Sequence, residues 1–177
     1  MSSAFSHSPQ VTGVHAVVDA GAVSTPYVRA GVGSTVLLLC SAARPSPLVA
    51  PLFAALTSSF RVIAPHDPRV CRPETNLSVA FPVWLRGFLD GLGVERTAIV
   101  AQEEMAARAL GFALSDPLRV SRLALTYRDA SDAAHENAAE RDLLGTSHPL
   151  LVQRFVGDEV HDVAVTTRLL EFLRGAP

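Results

Sequence analysis

Residues 35–40 read Thr-Val-Leu-Leu-Leu-Cys, an almost unbroken apolar run. A strand with one wet face alternates apolar and polar side chains, so a continuous run demands cover on both faces. Further strands are read at 60–65 (Phe-Arg-Val-Ile-Ala-Pro), 96–102 (Arg-Thr-Ala-Ile-Val-Ala-Gln) and 120–127. Segments of helical spacing separate them. In 48–59 the apolar positions are Leu48, Leu52, Ala55 and Leu56. In 79–92 they are Phe81, Leu85, Phe88, Leu89 and Leu92, with Gly93 as a stop, and 103–114 is alanine-rich. Strands alternating with helices of ~10–15 residues predict βαβ units, a parallel sheet and right-handed crossovers.

Two more strands are expected first, at 14–19 and 26–30, joined through Gly21. Beyond residue 129 the pattern changes. Residues 130–144 are charged and alanine-rich and read as a helix, 149–156 as a strand or the first turns of a helix. Residues 163–174 form an amphipathic helix carrying Val163, Leu169, Leu170 and Leu173. The expected fold is a three-layer α/β/α sandwich with a mostly parallel sheet of six to seven strands. It occupies one domain over residues 13–177, after a frayed start at 1–12.

Charge and cysteine content exclude several functions. The net charge is −2 and all 15 basic residues are arginines with no basic run, so there is no footprint for nucleic acid. Cys40 and Cys71 are too few for a disulfide framework and lack metal-type spacing. Cys40 reads as a buried thiol acting as a small hydrophobe. No stretch reaches the ~18 apolar residues of a membrane span, and residues 1–10 lack the apolar core of a secretory signal. The expectation is a cytoplasmic protein without metal or cofactor. Gly31-Val-Gly33 precedes a strand, whereas a dinucleotide fingerprint follows one.

Several stretches, taken in order, resemble the α/β-hydrolase family over roughly residues 14–129 and the last helix. Tyr27-Val-Arg-Ala-Gly and the runs at 35–40 and 60–65 are similar to its opening strands. Trp84-Leu-Arg-Gly-Phe-Leu-Asp-Gly-Leu-Gly-Val-Glu-Arg96 is similar to the helix leading into its nucleophile strand. Ala109-Leu-Gly-Phe-Ala-Leu-Ser-Asp-Pro-Leu-Arg-Val120 resembles the helix that follows, and Leu169-Leu-Glu-Phe-Leu-Arg-Gly175 the closing helix.

The resemblance implies where catalytic groups would stand. The family's G-x-S-x-G elbow, whose glycines permit a strained turn, matches Ala101-Gln102-Glu103-Glu104-Met105. Glu103 takes the nucleophile's place, as Asp does in members that form an ester intermediate. Ala101 and Met105 replace the glycines, so the turn is expected to be crowded. Glu103 and Glu104 also read simply as negative charge opening a helix. The oxyanion position reads Cys40-Ser41-Ala42-Ala43-Arg44-Pro45; Ser41 and Ala42 could contribute backbone donors, while Pro45 and Pro47 have none. His66 and Asp67 read as a solvated loop pair.

Asp129 follows the 120–127 strand, where some members carry the acid. Aligning the last helix puts Phe155 near the histidine position, with His161 the nearest candidate. A second alignment makes 149–162 the penultimate strand and its acid loop, Gly157-Asp158-Glu159. His135 and His148 fall where many members insert a lid, and a full lid domain is absent. The candidate set is therefore Glu103, Asp129 and His161, with Ser41, Ala42 and Glu104 around it.

Three functions compete. The first, favoured by the joint loss of serine, glycines and His-Gly pair, is a non-catalytic scaffold, subunit or small-ligand binder. The second is a hydrolase of an ester, amide, epoxide or carbon–halogen bond using Glu103 or Ser41. The third is a lyase or isomerase reusing the pocket. A shortened sheet would leave an open edge, which predicts a homo-oligomer or a partner subunit.

Overall fold

Seven apolar runs become strands: β1 (Val14–Ala20), β2 (Val23–Ala30), β3 (Thr35–Leu39), β4 (Arg61–Pro65), β5 (Thr97–Gln102), β6 (Val120–Arg128) and β7 (Leu150–Phe155). Among the described residues four helices alternate with them: α1 (Val49–Thr57), α2 (Phe81–Gly91), α3 (Glu104–Ser115) and α4 (Val163–Arg174). The computed structural model describes residues 12–20, 23–40, 49–66, 80–128, 149–155 and 163–175. The expected helix at 130–144 lies outside them.

The strands form one sheet in the order β1-β2-β4-β3-β5-β6-β7. β1 and β2 pair antiparallel, β2 runs antiparallel to β4, and β4, β3, β5, β6 and β7 are mutually parallel. Helical connections explain the parallel part, since a parallel pair needs a crossover. Residues 149–156, ambiguous in sequence, supply the strand β7, whose Leu123-to-Leu150 register continues the sheet beyond β6.

β2 starts at Val23, three residues before the sequence reading placed it. Pro26 stands inside the strand, although a proline cannot donate to a ladder. Here it lies where β2 passes the end of β4. Its carbonyl accepts the His66 N–H at 2.8 Å, and only one bond at the ladder's end is lost.

Each sheet face has its own apolar layer. Ile99, Ala101, Leu37, Leu39, Leu123 and Leu125 face α2 and α3. Val36, Leu38, Val62, Val100 and Ala124 face α1 and α4. The alternation follows from the period of two along each strand. α2 contributes Phe81, Trp84, Leu85, Phe88 and Leu89, all buried. Burying each such side chain contributes roughly 1.5–3 kcal/mol. Trp84 also carries a polar atom into the core, and its indole N–H donates to Thr25 Oγ1 at 2.9 Å. α3 meets the sheet through Ala106, Ala109 and Ala113, small side chains that allow close approach.

Ion pairs fasten the amino-terminal rim. Arg86 meets Asp116 at 2.7 Å, and Arg119 meets Asp90 at 2.6 Å. These pairs are largely exposed and add little stability individually. Between β2 and β3 the chain turns at Gly31, φ 76°. A Cβ there would run into the Phe60 carbonyl and lie 2.6 Å from that of Thr57, so this corner admits only glycine.

That corner separates two costs. Gly93 also has positive φ, 65°, but nothing lies within 4 Å of its would-be Cβ. Gly93→Ala should cost only the left-handed backbone penalty, about 1–2 kcal/mol. Gly31→Ala should cost clearly more, about 3 kcal/mol or above, because steric overlap with fixed carbonyls is added. Urea denaturation of both variants checks this, and equal losses would contradict it.

Candidate functional site

β5 ends at Gln102 and α3 begins at Glu104, so the whole change of direction falls on Glu103. Glu103 has φ 51° and ψ −124°, and no other non-glycine residue among those described has positive φ. An L-residue pays about 1–3 kcal/mol in such a sparsely populated region, which persists only where the surroundings over-determine it. They do so here. The Glu103 N–H donates to the Thr126 carbonyl at 2.8 Å, extending the β5–β6 ladder by one bond. The Glu103 carbonyl accepts the Ala106 N–H at 2.9 Å, the first bond of α3.

The crowding expected from Ala101 and Met105 does not prevent this corner. Ala101 is fully buried between β5 and the α2/α3 layer, and Met105 packs into the same cluster. A methionine at the second flank is accommodated because α3 turns it into the core, where a flexible thioether fills irregular space.

The reading of Glu103 and Glu104 as plain helix-opening charge divides between them. Glu104 is exposed in the first turn of α3 and suits the positive end of the macrodipole. Glu103 occupies the N-cap position, yet its side chain makes no capping hydrogen bond and is half-exposed.

The parallel strands bring their carboxyl ends to the same rim. β3 pairs with β5 through Leu39 and Ala101, so Cys40 emerges beside Gln102. Cys40 is half-buried, and desolvation pushes its thiol up to about 11. His66 follows β4 on the same rim. Burial lowers its pKa from the ordinary 6.5, and the charge of His15 adds to the effect. Ser41, Ala42, Asp67, Cys71, Asp129, His135, His148 and His161 lie outside the described residues. Glu103 and Glu104 are thus the members of the candidate set whose positions are described. Among the described residues no cluster of His, Cys, Asp or Glu could hold a metal, and no helix is long and apolar enough to cross a membrane.

Sequence reading passed over three residues at this rim. Gln102, Thr126 and Gln153 are buried polar groups at the ends of β5, β6 and β7. The available signal was a polar residue after the apolar stretches Ala98–Ala101, Leu123–Leu125 and Leu150–Val152.

The sheet order and its antiparallel start define an architecture that known structures share. The chain matches carboxylesterase CesB (YbfK) from Bacillus subtilis with a TM-score of 0.70 and 14% identity, over 95% of this chain and 94% of that one. The chain has the α/β-hydrolase fold. Naproxen esterase (carboxylesterase NP) from Bacillus subtilis matches at a TM-score of 0.59 and 22% identity, over 66% of this chain and 43% of that one. An epoxide hydrolase from Vigna radiata matches at 0.53 and 19% identity, over 64% and 38%. This α/β-hydrolase-fold chain therefore spans less than half the length of several of its structural neighbours. No protein-family model and no curated protein sequence matches it.

Strain at the corner has a measurable consequence. Glu103→Gly should stabilise the fold by about 1 kcal/mol net, the relief of strain less the extra chain entropy of glycine. Glu103→Ala keeps the Cβ and should show no such gain. Equal stability of the two variants in urea would show that the corner stores no strain.

Cys40 gives a chemical test. Only the thiolate is nucleophilic, and a raised pKa keeps the thiol protonated at neutral pH. Iodoacetamide should modify Cys40 slowly at pH 8, with the rate rising through pH 10. Peptide mass mapping locates the label, and fast modification of Cys40 at pH 7 would contradict the burial.

Proposed function

We propose that this chain binds a small molecule at the carboxyl ends of its strands, with Glu103 as the group held up to the ligand, and does not turn it over. The observation that carries the binding site is the corner. A residue that only complements the helix dipole can sit in relaxed helix, as Glu104 does. Glu103 instead occupies a strained conformation without capping α3, which costs stability and gives α3 no side-chain cap. Strain of this kind clusters at ligand sites.

The side chains around the corner support binding over turnover. The elbow serine is replaced by a carboxylate, the His-Gly pair after β3 by Cys40 and Ser41, and Pro45 and Pro47 remove donors nearby. The thiol at the end of β3 is held neutral.

The same corner favours one catalytic reading. A Glu103 carboxylate oxygen would attack an electrophilic carbon, forming an ester as the carbon–oxygen or carbon–halogen bond breaks and the leaving group takes the electron pair. Water would then cleave the ester, with His161 accepting its proton and Asp129 orienting the imidazole. Some of the fold's neighbours are carboxylesterases and an epoxide hydrolase.

Intact-mass analysis and turnover assays separate the two. With p-nitrophenyl acetate, styrene oxide and 1-bromobutane, the wild type should form no adduct and hydrolyse no faster than Glu103→Gln. An adduct mapping to Glu103, or turnover abolished by Glu103→Gln, would establish the hydrolase instead.

A further inference from the structure

The last rung of the sheet is polar on one face. Gln102, Thr126 and Gln153 are paired in register across β5, β6 and β7. Strand alternation sets them on the α1/α4 face, directly after the apolar rung Val100, Ala124 and Leu151. Cys40 reaches the same level at the end of β3, one residue beyond the Leu39–Ala101 pair.

This rung is out of solvent: Gln102 is 5% exposed, Thr126 3% and Gln153 6%. The Thr126 hydroxyl donates to the Ala101 carbonyl at 3.3 Å, and Gln153 Nε2 donates to the Val165 carbonyl of α4 at 3.3 Å. Both remaining amide oxygens, Gln102 Oε1 and Gln153 Oε1, are buried without a hydrogen-bond partner. Reversing the Gln153 amide would forfeit its bond to Val165, so the oxygen is its free end. Buried acceptors are ordinarily satisfied, and two orphans on one rung need a common explanation.

What would complete the Gln153 oxygen is a hydrogen-bond donor, and the Gln102 amide can turn its oxygen to the same donor. The rung's one hydroxyl already donates to the backbone, and the neighbouring thiol is a weak donor. Glu103, next after Gln102, adds a carboxylate to the same rim. We propose that this rung is the floor of the ligand site and selects a molecule presenting a primary ammonium. The ammonium supplies three donors and a charge that the carboxylate complements. This inference rests on the elbow site proposed above and names the chemistry of its ligand.

Butylamine, butyrate and butan-1-ol are the probes, titrated into the full chain and followed by NMR chemical shifts and thermal melting. Butylamine should saturate and butyrate should not bind. Gln102→Leu and Gln153→Leu should each weaken butylamine by about tenfold or more, since each removes a bond to a charged group. Their ligand-free melting temperatures should be unchanged or raised, because an apolar side chain leaves no orphaned oxygen. If a leucine variant loses its cooperative melt, Gln102→Met and Gln153→Met, closer in shape, carry the same expectation.

Absence of butylamine saturation, equal binding of butyrate, or wild-type affinity in the glutamine variants would each overturn the proposal. Loss of binding in Glu103→Gln with the glutamine variants unaffected would reject the rung and leave the elbow site standing. The reverse pattern would keep the rung and remove Glu103 from the site.

Discussion

The bond from the Glu103 N–H to the Thr126 carbonyl joins the sheet to the candidate site. It is the final bond between the interior strand β5 and its neighbour β6, and it holds the chain in line until one residue before α3. With that peptide fixed on one side and α3 on the other, the direction change has nowhere else to fall. The position of α3 is set in turn by apolar packing. Ala106, Ala109, Leu110, Phe112 and Ala113 bury against the sheet and α2, and their close fit leaves little freedom for α3 to shift and relax the corner. The strain at one residue is therefore balanced by burial across a whole layer.

This dependence explains which features could be read from sequence. Strands β3, β4 and β5 follow from short apolar runs, because cover on both faces is a local demand on composition. α2 and α4 follow from helical spacing. β7 was ambiguous, since Pro-Leu-Leu-Val-Gln-Arg-Phe-Val suits a strand or a helix start, and only pairing along β6 decides between them. The start of β2 was placed late because Val23, Ser24 and Thr25 have no apolar run of their own and join the strand through pairing with β1.

The corner itself was misjudged for a different reason. Sequence rules treat the flanking glycines of an elbow as requirements, whereas the dihedrals of Glu103 are imposed by bonds to Thr126 and Ala106. Those partners lie in β6 and in α3, and the ladder bond to β6 has no local signature. Likewise, each of Gln102, Thr126 and Gln153 is unremarkable alone. They become a row only through the register of three strands separated by long stretches of chain.

The corner's backbone and its chemistry are therefore separable. The sheet and α3 would impose a sharp turn on whatever residue stands at 103, so the turn alone does not specify a reaction. The side chain specifies what it can do. A serine there is a weak nucleophile that must give up a proton to a base, which makes an imidazole part of the same machine. A carboxylate has no proton to give and accepts hydrogen bonds without help. Together with the buried amide oxygens Gln102 Oε1 and Gln153 Oε1, it gives the described part of the rim several acceptors. On the proposed reading those acceptors meet a positively charged nitrogen, whereas stabilising an oxyanion needs N–H groups aimed at developing negative charge. On the reading proposed above, the residue at this corner serves as the complement of a cation rather than as a nucleophile.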